Sequence, residues 1–351
     1  MEENVQSTLS KDSLIFSNDV AGIGAFGKVY IATLKNSNKK VAVKTVFQDK
    51  NYKNRELSIM QELNHPNIIK LLGFYYTDAR ENNPKASKND VNLNCIMDYI
   101  PETLSHLISK NKKENTDFNP IIMKLLSFQL LKSIGYMQSK GICHRDIKPS
   151  NVLIDPYDYS LKICDFGCAK ILVKDQENIS YICSRYYRPP ELVLGANFYT
   201  CQVDVWSIGC VIAELVLKKP IFAGSNSKNQ MVEIMKILGT PNKNQIYNMN
   251  PHIKSNVKFM KLPKKNWKDV FNGKIRDDNY IDLVSKLIVY EPEKRLKPYE
   301  ALCHCYFDEL KDKNLILPNG TKIPSHIFEF EKCEMEFDKE NINKFLSQVK
   351  N

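Results

Sequence analysis

Two carboxylates sit in short polar runs near the middle of the chain. One run is His144-Arg145-Asp146-Ile147-Lys148-Pro149-Ser150-Asn151, and Asp165-Phe166-Gly167 begins fourteen residues after it. Far upstream lies Gly22-Ile23-Gly24-Ala25-Phe26-Gly27-Lys28-Val29. Glycine at 22, 24 and 27 lets backbone N–H groups approach phosphate oxygens that a Cβ would hold off. The same spacing marks dinucleotide sites, where a helix must follow. Here Val29-Tyr30-Ile31 continues as a strand, which disfavours that reading. Val41-Ala42-Val43-Lys44 then ends an apolar strand in a lysine. A lysine buried on arrival needs an anion, and both a phosphate and the carboxylate of Glu56, twelve residues on, would serve. Taken alone, Lys44 would read as a lysine snorkelling from a strand end.

These groups need a scaffold, and the apolar pattern supplies one. From Leu14 to Ile96 the chain is rich in β-branched and apolar runs, several of them separated by turn clusters such as Lys35-Asn36-Ser37-Asn38. That pattern predicts an antiparallel sheet. One helix interrupts it around Asn54 to Leu63, with Leu57, Met60 and Leu63 on one face. Beyond Pro101 the period changes. Helices are expected over Ile121–Gln138, Asp204–Leu217, Asn229–Leu238, Tyr280–Ile288 and Tyr299–Cys305. The expected fold class is α+β, a small sheet-rich lobe before a larger helical one, with the crevice between them as the natural ligand site. The boundaries read as a polar arm at 1–13, the small lobe at 14–98, the large lobe at 99–310 and a C-terminal extension at 311–351.

The order of the parts carries a resemblance. Gly-rich loop, strand lysine, helix glutamate, His-Arg-Asp run, Asp-Phe-Gly and Pro190-Glu191 follow one another as in eukaryotic protein kinases. The resemblance implies a bilobal kinase fold, ATP and Mg²⁺. It implies that Asp146 takes the substrate hydroxyl proton, that Lys148 neutralises the γ-phosphate, and that Asn151 and Asp165 hold the metal. Lys44 would hold the α/β-phosphates and pair with Glu56. Asp98, Tyr99 and Ile100 would form the hinge that binds adenine through its backbone, with Met97 behind it. Ile23, Val29, Ala42 and Leu153 would sandwich the ring, although apolar residues at such positions are also plain core.

The chain further resembles glycogen synthase kinase 3, within the CMGC group. The residues are Asn54-Arg55-Glu56-Leu57, Ser180-Tyr181-Ile182-Cys183-Ser184-Arg185-Tyr186-Tyr187-Arg188, Leu238-Gly239-Thr240-Pro241 and Leu317-Pro318-Asn319-Gly320, and the similarity runs from about Leu14 to about Glu336. No threonine lies between Asp165 and Glu191. Arg55, Arg145 and Lys170 fall where that family binds a phosphate already on its substrate. Such cations repel unless an anion arrives. A substrate primed about four residues C-terminal to its target is therefore expected, with phosphate on Ser180 or Ser184 as the competing way to fill the pocket. Tyr181 matches the family's activation-loop phosphotyrosine, facing Arg185 or Arg188. A cyclin-dependent or mitogen-activated reading lacks its threonine. A pseudokinase scaffold would require the loss of a group that is here present.

Departures are also legible. The first arginine is Arg55, so the family's basic N-terminal serine switch is not expected. Pro189 and Ser150 replace the usual Ala and Gln. The run from Asn250 to Trp267 differs where scaffold peptides would dock. Residues 337–351 give no assignable element.

Composition bounds the rest. The 351 residues are 43% hydrophobic and 26% charged, with net charge +10 and ten cysteines in no disulfide framework. Cys303-His304-Cys305 lacks the second ligand pair of a metal site. No aromatic-interleaved basic face suggests nucleic acid, and no apolar stretch is long enough for a membrane. The expectation is a monomeric cytoplasmic protein, also nuclear in reach, acting on phosphoprotein substrates.

Overall fold

The computed structural model describes residues 9–24, 27–49, 53–81, 85–253 and 259–350. The chain divides into two compact units, one ending at Pro101 and one beginning at Glu102.

The first unit is one antiparallel sheet with a helix. Its strands are β1 (Leu14–Gly24), β2 (Gly27–Leu34), β3 (Lys40–Asp49), β4 (Leu71–Asp78) and β5 (Asp90–Asp98), in the order β1-β2-β3-β5-β4. Alternation along β3 sorts its side chains. Val41 and Val43 join Leu14, Ala32 and Ile96 in a core that Leu9 and Tyr75 cover. Ala42 and Lys44 therefore take the opposite face. Helix α1 (Arg55–Glu62) starts at Asn54, whose side chain accepts the Leu57 N–H, and it buries Leu57, Ile59 and Met60.

The second unit is mostly helical. Helix α2 (Leu104–Glu114) follows a short strand, β6 (Glu102–Thr103). Helix α3 (Pro120–Ser139) has an Asn119 cap with proline at its first position, and nearly every residue from Ile122 to Met137 is buried. Gly135 allows this depth: a Cβ there would lie 2.7 Å from the Tyr299 ring. Four two- or three-residue strands follow: β7 (Ile142–Cys143), β8 (Val152–Ile154), β9 (Leu161–Ile163) and β10 (Lys170–Ile171). The β6-β8-β9 and β10-β7 ladders fix the loops between them. After α4 (Pro190–Val193), helix α5 (Gln202–Leu217) is buried from Val203 onward. The remaining helices are α6 (Ser227–Leu238), α7 (Lys243–Met249), α8 (Trp267–Phe271), α9 (Asp278–Leu287), α10 (Pro298–Leu302), α11 (Lys332–Phe337) and α12 (Lys339–Gln348). The helix expected over Tyr299–Cys305 ends at Leu302 and gives way to a 3₁₀ segment, Cys305–Lys311. No helix described is long and apolar enough to cross a membrane.

Two polar anchors hold this unit. Glu191 and Arg295 form a fully buried two-pronged pair at 2.7 and 2.6 Å, with the guanidinium over the Trp206 ring. The second anchor fastens the C-terminal segment. Lys132 of α3, fully buried, donates to the carbonyls of His326 (2.5 Å) and Glu329 and lies under the Phe330 ring. Burial pulls this lysine down to about 8 against the pull of Glu334. Phe345 of α12 packs on Phe128, Phe328 and Phe330. Residues 337–351, without an assignable element in the sequence reading, thus include helix α12 (Lys339–Gln348). Cys303, His304 and Cys305 turn to separate partners: Asn341 O, Asp282 and Asn279.

Two outcomes follow from these anchors. Glu191→Ala strands a buried guanidinium and should cost about 3–5 kcal/mol in urea unfolding. Replacing Glu191 with Leu and Arg295 with Met together should recover most of it. An unchanged midpoint for the single variant would refute the pair's role. His326 is the acid-sensitive group. Burial, reinforced by the Lys132 charge, lowers it to about 4, and its Nε2–H donates to Gln129 Oε1 at 3.2 Å. The unfolded chain takes up a proton near pH 6.5 and the folded one only near 4. Stability present above pH 6.5 should therefore drain as pH falls toward 4. His326→Gln should flatten that slope in thermal melts, and an identical slope would show that other groups set it.

Candidate active site

In the first unit, β3 lies tight against β2 at Gly27. Its φ is +148°, and a Cβ would lie 2.1 Å from the Thr45 carbonyl oxygen, so no other residue fits. Gly24 pairs with Gly27 across β1 and β2. Around Gly22 the protein leaves open space, so packing sets no demand for glycine there. Ala25, Phe26 and the side chain of Ile23 lie outside the described residues.

Val29 stands opposite Lys44, and Met97 opposite Ala42, so these four share one face of the sheet. Lys44 Nζ donates to Glu56 Oε1 at 2.6 Å, with both side chains about nine-tenths buried. Glu56 sits in the first turn of α1, where the helix dipole favours a carboxylate. Burial and the Glu56 charge raise the nearby Cys95 thiol to about 12, keeping it neutral. Asp98, at the end of β5, accepts from Lys39 Nζ at 2.7 Å, and its N–H donates to Lys70 O at 3.3 Å.

In the second unit the His-Arg-Asp run hangs on a buried carboxylate. Asp204, in the first turn of α5, accepts His144 N–H at 2.7 Å, Arg145 N–H at 2.8 Å and the Cys143 thiol at 3.2 Å. Burial pushes its carboxyl up, opposed by His144 and those N–H groups. Arg145 and Asp165 both take left-handed backbone, with φ of 65° and 64°. His144 links the two motifs. Its Nε2–H donates to Cys164 O at 3.1 Å, its Nδ1 accepts the Asp146 N–H, and its ring meets the buried Phe166.

Asp146 is gripped from three sides. Oδ2 accepts from Lys148 Nζ at 2.7 Å and Asn151 Nδ2 at 3.3 Å, and Oδ1 accepts from both N–H and Oγ of Ser184 at 2.9 and 2.7 Å. Burial alone would raise this carboxyl. The hydrogen bonds of Lys148 and Ser184, with the Lys148 charge, hold it below its ordinary value. An ionised, oriented carboxylate results, suited to accept a hydroxyl proton. Asn151 Nδ2 also donates to Asp146 O at 2.9 Å, which turns Oδ1 away as a hard oxygen ligand. The Cys164 N–H donates to Asn151 O at 3.0 Å, bringing the neighbouring Asp165 to the same loop. This donor set fits a divalent metal.

The basic residues divide between the units. Arg55 begins α1 of the first. In the second, Arg145 is 2% exposed, and its guanidinium donates to Cys168 O at 2.8 Å and Tyr199 Oη at 3.1 Å. Lys170 Nζ donates to Asn178 Oδ1 at 2.6 Å. Neither cation has a carboxylate partner among the described residues. Tyr181 is 72% exposed, with the Arg188 guanidinium 4.4 Å over its ring. Arg188 itself is spent on Ile182 O and Cys183 O, and Arg185 on Ser225 O.

Two contributors carry no motif signal of their own: Tyr199 on Arg145 and Asn178 on Lys170. Ser184 stood in the sequence reading within the Ser180–Arg188 run and as a phosphate-bearing alternative; its contact with Asp146 did not, and its hydroxyl lies between Asp146 and Lys148.

Comparison with known families agrees with this geometry. The model of the protein kinase domain matches residues 17–307, most of both units. Membership implies phosphoryl transfer from ATP to protein substrates with a divalent metal. With its five-stranded antiparallel unit and its helical unit, the chain has the bilobal protein kinase fold and belongs to the protein kinase family.

Proposed function

We propose that this kinase is a serine/threonine kinase of the glycogen synthase kinase 3 type, within the CMGC group, and that it prefers substrates already carrying a phosphate. The observation that carries the reading is the grip on Asp146. Lys148 and Ser184 keep its carboxylate ionised and aimed, and a bridging lysine two residues after the aspartate suits a short aliphatic hydroxyl.

In this reading Asp146 orients the serine or threonine hydroxyl and takes its proton as the new O–P bond forms. The bond from the γ-phosphorus to the β-phosphate oxygen breaks, and ADP leaves. Lys148 neutralises charge on the transferring group. Asn151 and Asp165 would hold Mg²⁺, which when bound screens the phosphate charges. Lys44, oriented by Glu56, would hold the α/β-phosphates, under a loop in which Gly22, Gly24 and Gly27 expose backbone N–H groups. Ile23, Val29, Ala42 and Leu153 would enclose adenine, with Met97 behind it and the backbone of Asp98 and Ile100 reading its edge.

Arg55, Arg145 and Lys170 would bind the priming phosphate. What supports this is a buried arginine with no acidic partner among the described residues, since such a charge gains most from an external anion. The partners are then phosphoproteins. Scaffold docking on Asn250–Trp267 includes residues 254–258, outside the described set. We place the protein in the cytoplasm with access to the nucleus.

The deciding assay compares Mg²⁺-ATP-dependent phosphorylation of a serine peptide with and without phosphoserine four residues downstream, Asp146→Asn serving as the inactive control. The expected result is a strong preference for the primed peptide, and a collapse of the primed-to-unprimed ratio in Arg55→Glu. Equal activity on both peptides would favour a cyclin-dependent or mitogen-activated type. ATP binding without transfer would favour a pseudokinase scaffold. Tyr181, exposed on its segment, is proposed to phosphorylate itself. Protein made in a host without tyrosine kinases should carry that phosphate by mass spectrometry, and its absence would sink the proposal.

A further inference from the structure

Arg145 reaches its position through a residue outside every motif. Tyr199 lies in the loop between α4 and α5. Its hydroxyl accepts Arg145 Nη1–H at 3.1 Å and donates its own proton to Ile179 O at 3.0 Å. One oxygen thus ties the His-Arg-Asp run to the activation segment, and both of its functions are used. The next residue back repeats the pattern. Asn178 N–H donates to Asn197 O at 2.8 Å, and Asn178 Oδ1 accepts Lys170 Nζ at 2.6 Å. Residues 197 and 199 therefore hold residues 178 and 179; Lys170 reaches Asn178 directly, and Arg145 is tied to Ile179 only through the Tyr199 hydroxyl.

The two cations should repel each other, and no carboxylate separates them among the described residues. A guanidinium held by Cys168 O alone would keep its far edge unfixed. The Tyr199 hydroxyl removes that freedom by fixing one Nη1–H, so the opposite edge of the planar group keeps a constant direction. We infer that Tyr199 is a positioning residue for the anion site: its hydroxyl holds Arg145 and the Ile179 backbone in register, so that the free edge of the guanidinium and Lys170 meet a substrate phosphate together. This inference rests on the primed-substrate reading above and names a further determinant of its selectivity.

The chemistry gives a distinctive signature. Tyr199→Phe deletes one oxygen and keeps the ring. The ring packs against the cluster of Cys143, Cys183, Leu192 and Val203, so the fold retains its apolar contact. Lost orientation at the anion site weakens recognition of the phosphate without touching the group that takes the hydroxyl proton. The loss should therefore appear in KM for a primed peptide rather than in its kcat.

The test measures kcat and KM of the full chain and of Tyr199→Phe on the primed and unprimed serine peptides. It also measures inhibition of each protein by a phosphoserine peptide that lacks the target serine. The expected result is a primed-to-unprimed ratio of kcat/KM lower by roughly five- to tenfold, carried by KM, with inhibition weakened in the same proportion. A variant that loses activity on both peptides equally, with the ratio kept, would make Tyr199 merely structural and overturn the inference. A ratio and inhibition identical to wild type would overturn it too. If the wild-type chain itself shows no preference for the primed peptide, the primed-substrate reading fails first and the inference with it.

Discussion

The buried carboxylate of Asp204 sets the geometry on which the second unit's chemistry depends. A carboxylate at the base of α5, sealed from water, is stable only if nearby donors replace its hydration. The donors it takes are backbone N–H groups of His144 and Arg145 and the thiol of Cys143. That choice has a structural price, since the run must bend through left-handed backbone at Arg145 to aim consecutive N–H groups at one carboxylate. The bend sends consecutive side chains to different tasks. His144 turns to Cys164, Arg145 to Cys168 and Tyr199, and Asp146 to Lys148, Asn151 and Ser184. A straight strand would have sent alternate residues to opposite faces and could not have placed all three.

Three other buried cations are more fully compensated than Arg145. Lys44 has Glu56, and Arg295 has Glu191 together with three backbone carbonyls. Lys132 has two carbonyls, an aromatic face and nearby glutamates. Each arrangement answers the desolvation of a cation with negative or partly negative oxygen. Arg145 has a carbonyl and a phenol only. Its environment is the least compensated of the four, and it lies beside the loop that carries Asp146. A structural arginine in a kinase core would be expected to resemble Arg295.

Much of this was legible because the chain writes it locally. The grip of Lys148 and Asn151 on Asp146 spans two and five residues. The Lys44–Glu56 pair spans twelve, from the middle of β3, which runs on to Asp49 rather than ending at the lysine, to the next helix start. The strands, α3 and α5 carry long apolar runs, and α1 and α3 clear asparagine caps. The contacts of Ser184 and Tyr199 were not legible, because they act across 38 and 54 residues through hydrogen bonds that leave no period or spacing. Helix α12 was hidden for a related reason. Its buried side chains are Ile342 and Phe345 in a polar stretch, and the surface that makes them apolar contacts is Phe128, far back in α3. Tertiary contact supplied what local pattern lacked.

The activation segment shows how such long-range bonds substitute for covalent modification. Many kinases fix this segment with a phosphothreonine on the arginine that precedes the catalytic aspartate. Here the segment has no threonine, and direct hydrogen bonds fasten it instead. Arg188 holds the carbonyls of Ile182 and Cys183, Ser184 is anchored on Asp146, Asn178 on Asn197, and Ile179 on Tyr199. None of these contacts uses a phosphate, so the segment is ordered without an anion on Arg145. On the proposed primed-substrate reading, order and charge compensation, joined in one phosphothreonine elsewhere, are separated: the anion would arrive with the substrate, and the residues that order the segment would set how well it is received.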